Sequence, residues 1–212
     1  MRVLASCDSN YFLEHHKAFY NSAIKNNYEP YIHIINPSEE VKDIAKNLKN
    51  ISFEQGENNK VYFSCNRFLI LKNFISPKGI LVTDIDCFFN KPMPPIKEDV
   101  GIFLREYEPY PGMKVAAGLL WVNDTENSFT FTNRFVHNLK TQKKQWYADQ
   151  YALYKTYNEL KDTISFFYFD NNFMDWEFKD DSYMWTGKGN RKFKNINYIS
   201  RKKEYESINP SS

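Results

Sequence analysis

Short apolar runs alternate with longer stretches of helical spacing through the first third of the chain. Val3–Cys7 is apolar and runs into Asp8-Ser9-Asn10. Phe12, Phe19, Ala23 and Ile24 then fall on one helical face, with Ser9 or Asn10 as cap and Asn26-Asn27 as stop. Tyr31–Ile35 alternates with period two and predicts a second strand. Pro37-Ser38 opens a helix carrying Val41, Ile44, Ala45 and Leu48, residues 50–60 read as a polar loop, and Val61–Phe74 reads as a helix rich in Phe and Leu. Ile80, Leu81 and Val82, after the Pro77-Lys78-Gly79 turn, form a buried strand. The order β-α-β-α-α-β implies a parallel sheet with helices on its faces.

Beyond the third strand, Pro92, Pro94 and Pro95 make residues 90–99 irregular. Gly101–Leu104 and Val115–Val122 read as strands, with a loop between them over residues 106–112. Gly118 lies inside the second strand, where a glycine marks close approach of a ligand or of other backbone. Ser128–Lys140 and Tyr147–Tyr157 read as helices and Ile164–Phe169 as a strand. Residues 185–212 read as a basic loop and tail.

Composition narrows this picture. The 212 residues suit one domain with a real core. A net charge of +2 argues against a dedicated nucleic-acid binder. Cys7, Cys65 and Cys87 occur singly, so neither a disulfide framework nor a zinc site is expected, and a reducing compartment fits. There is no apolar signal region, and no run nears the roughly 18–20 residues of a membrane helix. The expected compartment is the cytoplasm, the host's for a viral chain. Membrane contact is expected to be at most peripheral, through the basic tail. The abrupt Pro210-Ser211-Ser212 ending fits either a natural end or a cut in a linker, the chain then being the N-terminal part of a longer protein.

The chemistry concentrates at G-I-L-V-T-D-I-D, residues 79–86. A buried strand there delivers Asp84 and Asp86 to its carboxyl end, where open α/β sheets bind ligands. The two acids repel each other, and a hard divalent cation would offset this and neutralise a substrate diphosphate. Two solvated acids in a turn is the commoner fate of such a triplet, but the apolar strand before it and Cys87-Phe88-Phe89 after it pin these. Asp8, Asn10 and Tyr11 can read and stack on a nucleobase, or Asp8 can simply cap the helix. Arg67, in an otherwise apolar helix, can reach a phosphate or carboxylate, or snorkel to solvent. Asp149-Gln150 lies at a helix start, where an acid is favoured by the dipole. Thr186–Lys192 (T-G-K-G-N-R-K) has the glycines and cations of an anion-binding loop without P-loop spacing. His15, His16, His33 and His137 show no metal-ligand spacing, and no G-x-S-x-G is present.

Taken in order, these segments resemble the GT-A glycosyltransferases of the family 8 type (glycogenin and lipopolysaccharide galactosyltransferases). The resemblance runs from about Val3 to Lys192. It is carried by S-C-D-S-N-Y at 6–11, N-R-F at 66–68, L-V-T-D-I-D at 81–86, A-G-L-L-W-V-N at 117–123, D-Q at 149–150, N-N-F at 171–173 and T-G-K-G at 186–189. It implies one GT-A nucleotide-diphospho-sugar transferase domain over residues 1–212. The expected fold is α/β and Rossmann-like, with a mostly parallel sheet and helices on both faces.

The resemblance further implies a UDP-sugar donor, a glycan or glycoprotein acceptor, retention at the anomeric carbon, and Mn2+ (or Mg2+) held by Asp84 and Asp86. Ser6, Asp8, Asn10 and Tyr11 would hold base and ribose, and Arg67 would lie near the diphosphate. Asp84 would face ribose and metal, and Asp149 and Gln150 the sugar. Gly187 and Lys188 would close over the diphosphate. Two departures stand out. The family's C-terminal H-x-x-G supplies a His metal ligand, where this chain has Met184 or Thr186, and Ala117 replaces the usual Asn. A non-catalytic nucleotide-sugar or carbohydrate binder and a haloacid-dehalogenase-like phosphatase are the alternatives.

Overall fold

The computed structural model describes residues 1–187 and 189–208. Nine strands and seven helices are found among them. The strands are β1 (Arg2–Asp8), β2 (Glu29–Ile35), β3 (Ile51–Glu54), β4 (Ile80–Thr83), β5 (Cys87–Phe89), β6 (Val100–Leu104), β7 (Val115–Val122), β8 (Phe166–Tyr168) and β9 (Met184–Thr186). The helices are α1 (Ser9–Lys25), α2 (Glu39–Ala45), α3 (Lys60–Leu69), α4 (Glu126–Thr141), α5 (Ala148–Leu160), α6 (Arg191–Lys194) and α7 (Ile196–Glu206).

Seven strands form one sheet in the order β3-β2-β1-β4-β7-β6-β8, and β5 pairs with β9 in a small second sheet. The large sheet is parallel except at β7, which runs antiparallel to both β4 and β6. The pleat sends alternate side chains to opposite faces. Val3, Ala5 and Cys7 of β1 pack with Phe12 and Phe19 of α1 and Val41 of α2. Leu4 packs on the other face with Phe68 of α3, Phe131 and Phe135 of α4, and Leu153 of α5. Each buried Leu or Phe of these layers contributes about 1.5–3 kcal/mol relative to exposure.

Three differences from the sequence reading stand out. Residues 51–54, read as loop, form β3. It is a four-residue edge strand beside β2, and its Phe53 points to solvent, so no apolar run marks it. The helix read over residues 61–74 stops at Leu69, and a 3-10 turn follows at Leu71–Asn73. Within residues 185–212, read as a basic loop and tail, lie part of β9 and all of α6 and α7. Tyr198 and Tyr205 are buried there with Ala18, Phe88, Phe178 and Trp185. Asn21 fixes α7 by donating to the carbonyls of Tyr205 and Ile208, both at 2.9 Å. The buried residues of α7 are two tyrosines seven positions apart among charged residues, which hides the helical period. No helix among the described residues is long and apolar enough to cross a membrane.

Candidate active site

Two polar clusters meet at the carboxyl end of β4. In the first, Arg67 is 3% exposed and sits among acids from two other elements. Its guanidinium lies 2.7 Å from Asp84 Oδ1 and 3.7 Å from Asp149 Oδ2, and donates to the Ala117 carbonyl at 3.2 Å. The helix delivers it because α3 turns Cys65, Asn66 and Phe68 into the protein and Arg67 lies on the same buried stretch. Burial pushes the Asp149 carboxyl up to about 6, with the Asp84 charge adding to the shift and Arg67 opposing it.

In the second cluster Lys192 of α6 reaches Asp86. Its Nζ lies 2.9 Å from Asp86 Oδ2 and donates to the Tyr11 hydroxyl at 3.3 Å, with the side chains of Lys192 and Asp86 only 6% and 12% exposed. Burial alone would lower the Lys192 pKa. Asp86 and Tyr11 outweigh it and the net shift is upward, so the ammonium stays charged. The Asp86 carbonyl accepts from Gly187 N–H (3.0 Å) and from the Tyr198 hydroxyl (2.8 Å). The C-terminal segment is thus tied to the acid pair by backbone and side chain together.

The other expected residues are spread more widely. Ser6, at the end of β1, donates to Asn66 Oδ1 at 3.3 Å, which links the S-C-D-S-N-Y and N-R-F segments. Asp8 accepts from Tyr11 N–H at 2.8 Å and is the N-cap of α1. Asn10 and Tyr11 are exposed at the helix start. The Gln150 amide, turned with its nitrogen toward the backbone, donates to the Val115 carbonyl (2.6 Å) and the Gly112 carbonyl (3.2 Å). Lys188 lies outside the described residues.

Sequence reasoning missed Lys192. It chose the lysine between the two glycines, whereas the buried one follows Gly189 by three residues and shares α6 with Arg191 and Lys194. The only available signal was that spacing. A cleft of about 760 Å3 opens beside α6, but neither Asp84 nor Asp86 lines it.

A divalent cation fits this arrangement poorly. An ion such as Mg2+ needs only one or two protein carboxylates, with waters and substrate phosphates completing its shell, so the fit turns on whether those carboxylates are free of other cations. Asp84 and Asp86 each already have a cation within 3 Å, and among the described residues no group of three His, Cys, Asp or Glu side chains could hold a metal. Met184 and Thr186, where the resemblance puts a His, are core-facing residues of β9.

Two substitutions probe these contacts. A Cβ on Gly118 would lie 2.7 Å from Asp84 Oδ2. Gly118→Ala is therefore expected to push Asp84 off Arg67 and cost about 1–3 kcal/mol, read in a urea melt. Asp8→Ala removes the α1 cap and is expected to cost about 1 kcal/mol, or roughly 2–4 °C in a thermal melt.

No protein-family model matches the sequence, and no curated protein does. Solved structures match over nearly all of the chain. The bifunctional glycosyltransferase WbbM superposes with a TM-score of 0.67 at 14% identity over 99% of this chain, which spans only 50% of that protein. The galactosyltransferase LgtC, solved with donor and acceptor sugar analogues, superposes at 0.57 with 15% identity, covering 100% of this chain and 98% of that one. A glycosyltransferase involved in glycosylating the major capsid of PBCV-1 superposes at 0.60 with 13% identity, covering 98% of both chains. With the sheet order and helical layers above, these likenesses show that the chain has the GT-A fold expected from its resemblance to family 8 glycosyltransferases.

Proposed function

We propose that this chain is a glycosyltransferase that moves a sugar from a UDP-sugar to a hydroxyl of a glycan or glycoprotein, with retention at the anomeric carbon. The observation that carries the reading is the meeting of Asp84, Arg67 and Asp149 at the carboxyl end of β4, the position where open α/β sheets bind ligands.

In the transfer, the bond between the anomeric carbon and the diphosphate oxygen breaks and its electron pair stays on the diphosphate. The acceptor oxygen bonds to the anomeric carbon and gives its proton to the departing phosphate oxygen or to solvent. Asp149 is suited to the developing positive charge at the anomeric carbon. With a carboxyl near 6, it is mostly ionised at neutral pH, and Arg67 holds it in place. Tyr11 and Asn10, exposed at the end of β1, are placed for base and ribose, with Ser6 and Asp8 beneath them. Gln150, bonded to backbone, shapes the sugar side, and Gly187 ties the closing segment to Asp86. Lys188 remains a candidate for the diphosphate. The phosphatase alternative lacks the support that the sheet order gives to this reading.

Calorimetry with UDP, ADP, GDP and CDP tests the donor. UDP is expected to bind at least tenfold more tightly than the others. Equal affinities would remove the uridine assignment, and no binding of any nucleotide would remove the nucleotide-sugar reading.

A further inference from the structure

The repulsion between Asp84 and Asp86 is already answered within the chain. Arg67 comes from α3, seventeen residues upstream of Asp84, and Lys192 comes from α6, more than a hundred residues downstream of Asp86. Neither is a loosely held surface cation. The Lys192 stem is packed so closely on Gly187 that a Cβ there would lie 2.9 Å from its Cδ. Its ammonium lies 4.7 Å from the centre of the Tyr11 ring. The three Asp86 contacts from Gly187, Lys192 and Tyr198 fix α6 on the acid pair. A divalent ion bound at Asp86 would either sit against the Lys192 ammonium and be repelled by it, or displace that buried ammonium and leave it unpaired, and both are unfavourable.

We infer that the acid pair is not a divalent-metal site in this protein, and that the Lys192 ammonium, held by Asp86, takes the metal's place as the cation presented to the donor diphosphate. The diphosphate half of this inference rests on the function proposed above. An ammonium has three N–H donors. Asp86 and Tyr11 occupy two, and no acceptor for the third is found among the described residues, which leaves it for an anionic oxygen. Asp86 then acts as the holder of Lys192 instead of a metal ligand, and the missing His ligand ceases to be a defect.

The test titrates Mn2+ alone, followed by its paramagnetic resonance signal, into the wild type and Lys192→Met. A second arm measures UDP affinity in excess EDTA and in 1 mM Mn2+. Lys192→Met keeps the stem and frees Asp86, so it is expected to bind Mn2+ at least tenfold more tightly than the wild type. Wild-type UDP affinity is expected to differ less than twofold between the two buffers. Lys192→Arg, which keeps the charge, is expected to keep this indifference. Tighter Mn2+ binding by the wild type than by Lys192→Met would overturn the inference, as would a tenfold gain in wild-type UDP affinity with Mn2+. The wild-type UDP comparison needs no variant to fold. If UDP binds in neither buffer, the nucleotide-sugar reading fails and the Mn2+ titrations still decide whether the acid pair is a metal site.

Discussion

Arg67→Met is expected to be the most damaging single substitution for stability. It removes the cation between Asp84 and Asp149 and leaves a nearly buried carboxylate facing a like charge. Breaking a buried pair by deleting one partner costs about 3–5 kcal/mol. For a domain of this size that is roughly 6–20 °C of melting temperature. The pH dependence gives the prediction a second handle. In the wild type the Asp149 carboxyl is already raised, to about 6, and removing Arg67 takes away the main influence pulling it down. A group raised in the folded state binds its proton more readily folded than unfolded, so its contribution to stability falls as pH rises from about 4 through its folded value. The deficit of Arg67→Met relative to wild type should therefore be large at pH 8 and much smaller at pH 5, where Asp149 is protonated. A deficit that does not change with pH would mean that the Arg67–Asp149 contact is not what the substitution breaks.

Asp149→Asn is expected to have the largest effect on turnover. It keeps the size and most of the hydrogen bonding of the side chain while removing its charge. If Asp149 stabilises charge at the anomeric carbon, the rate of donor consumption should fall about 100–1,000-fold, in the range found for loss of one electrostatic contact to a transition state. UDP affinity should stay within threefold, because Asp149 is assigned to the sugar and not to the nucleotide. Steady-state rates and calorimetry on the same preparation separate the two effects. Near wild-type turnover would move the chemistry away from Asp149. A parallel loss of UDP affinity would make it a structural partner of Arg67.

Much of the fold was legible because local pattern sufficed. The apolar runs of β1, β4 and β7 and the helical period of α1 and α4 are visible without any knowledge of partners. Elements stabilised mainly by distant contacts were not. Residues 51–54 form a strand because β2 offers an open edge, and α7 is helical because Tyr198 and Tyr205 fill a space bounded by Phe88 and Trp185. The same distinction runs through the site. Asp84 and Asp86 announce themselves by their place after a buried strand. That each has a cationic partner does not, because Arg67 and Lys192 come from remote helices. The sequence alone therefore suggested an external cation to offset the two acids. Asp8 offered both a cap and a nucleobase contact, and the structure places it as the cap of α1.

The proposed function requires the cluster at the carboxyl end of β4 to consume a nucleotide-activated sugar. Incubating the protein with a panel of nucleotide-sugars, with no acceptor added, and following the products by proton and phosphorus magnetic resonance tests it most directly. Release of UDP and free sugar from a UDP-sugar is expected, faster than from GDP- or CMP-linked sugars and abolished by Asp149→Asn. No consumption of any nucleotide-sugar by protein that binds UDP would contradict the claim and leave a nucleotide-sugar binder in its place.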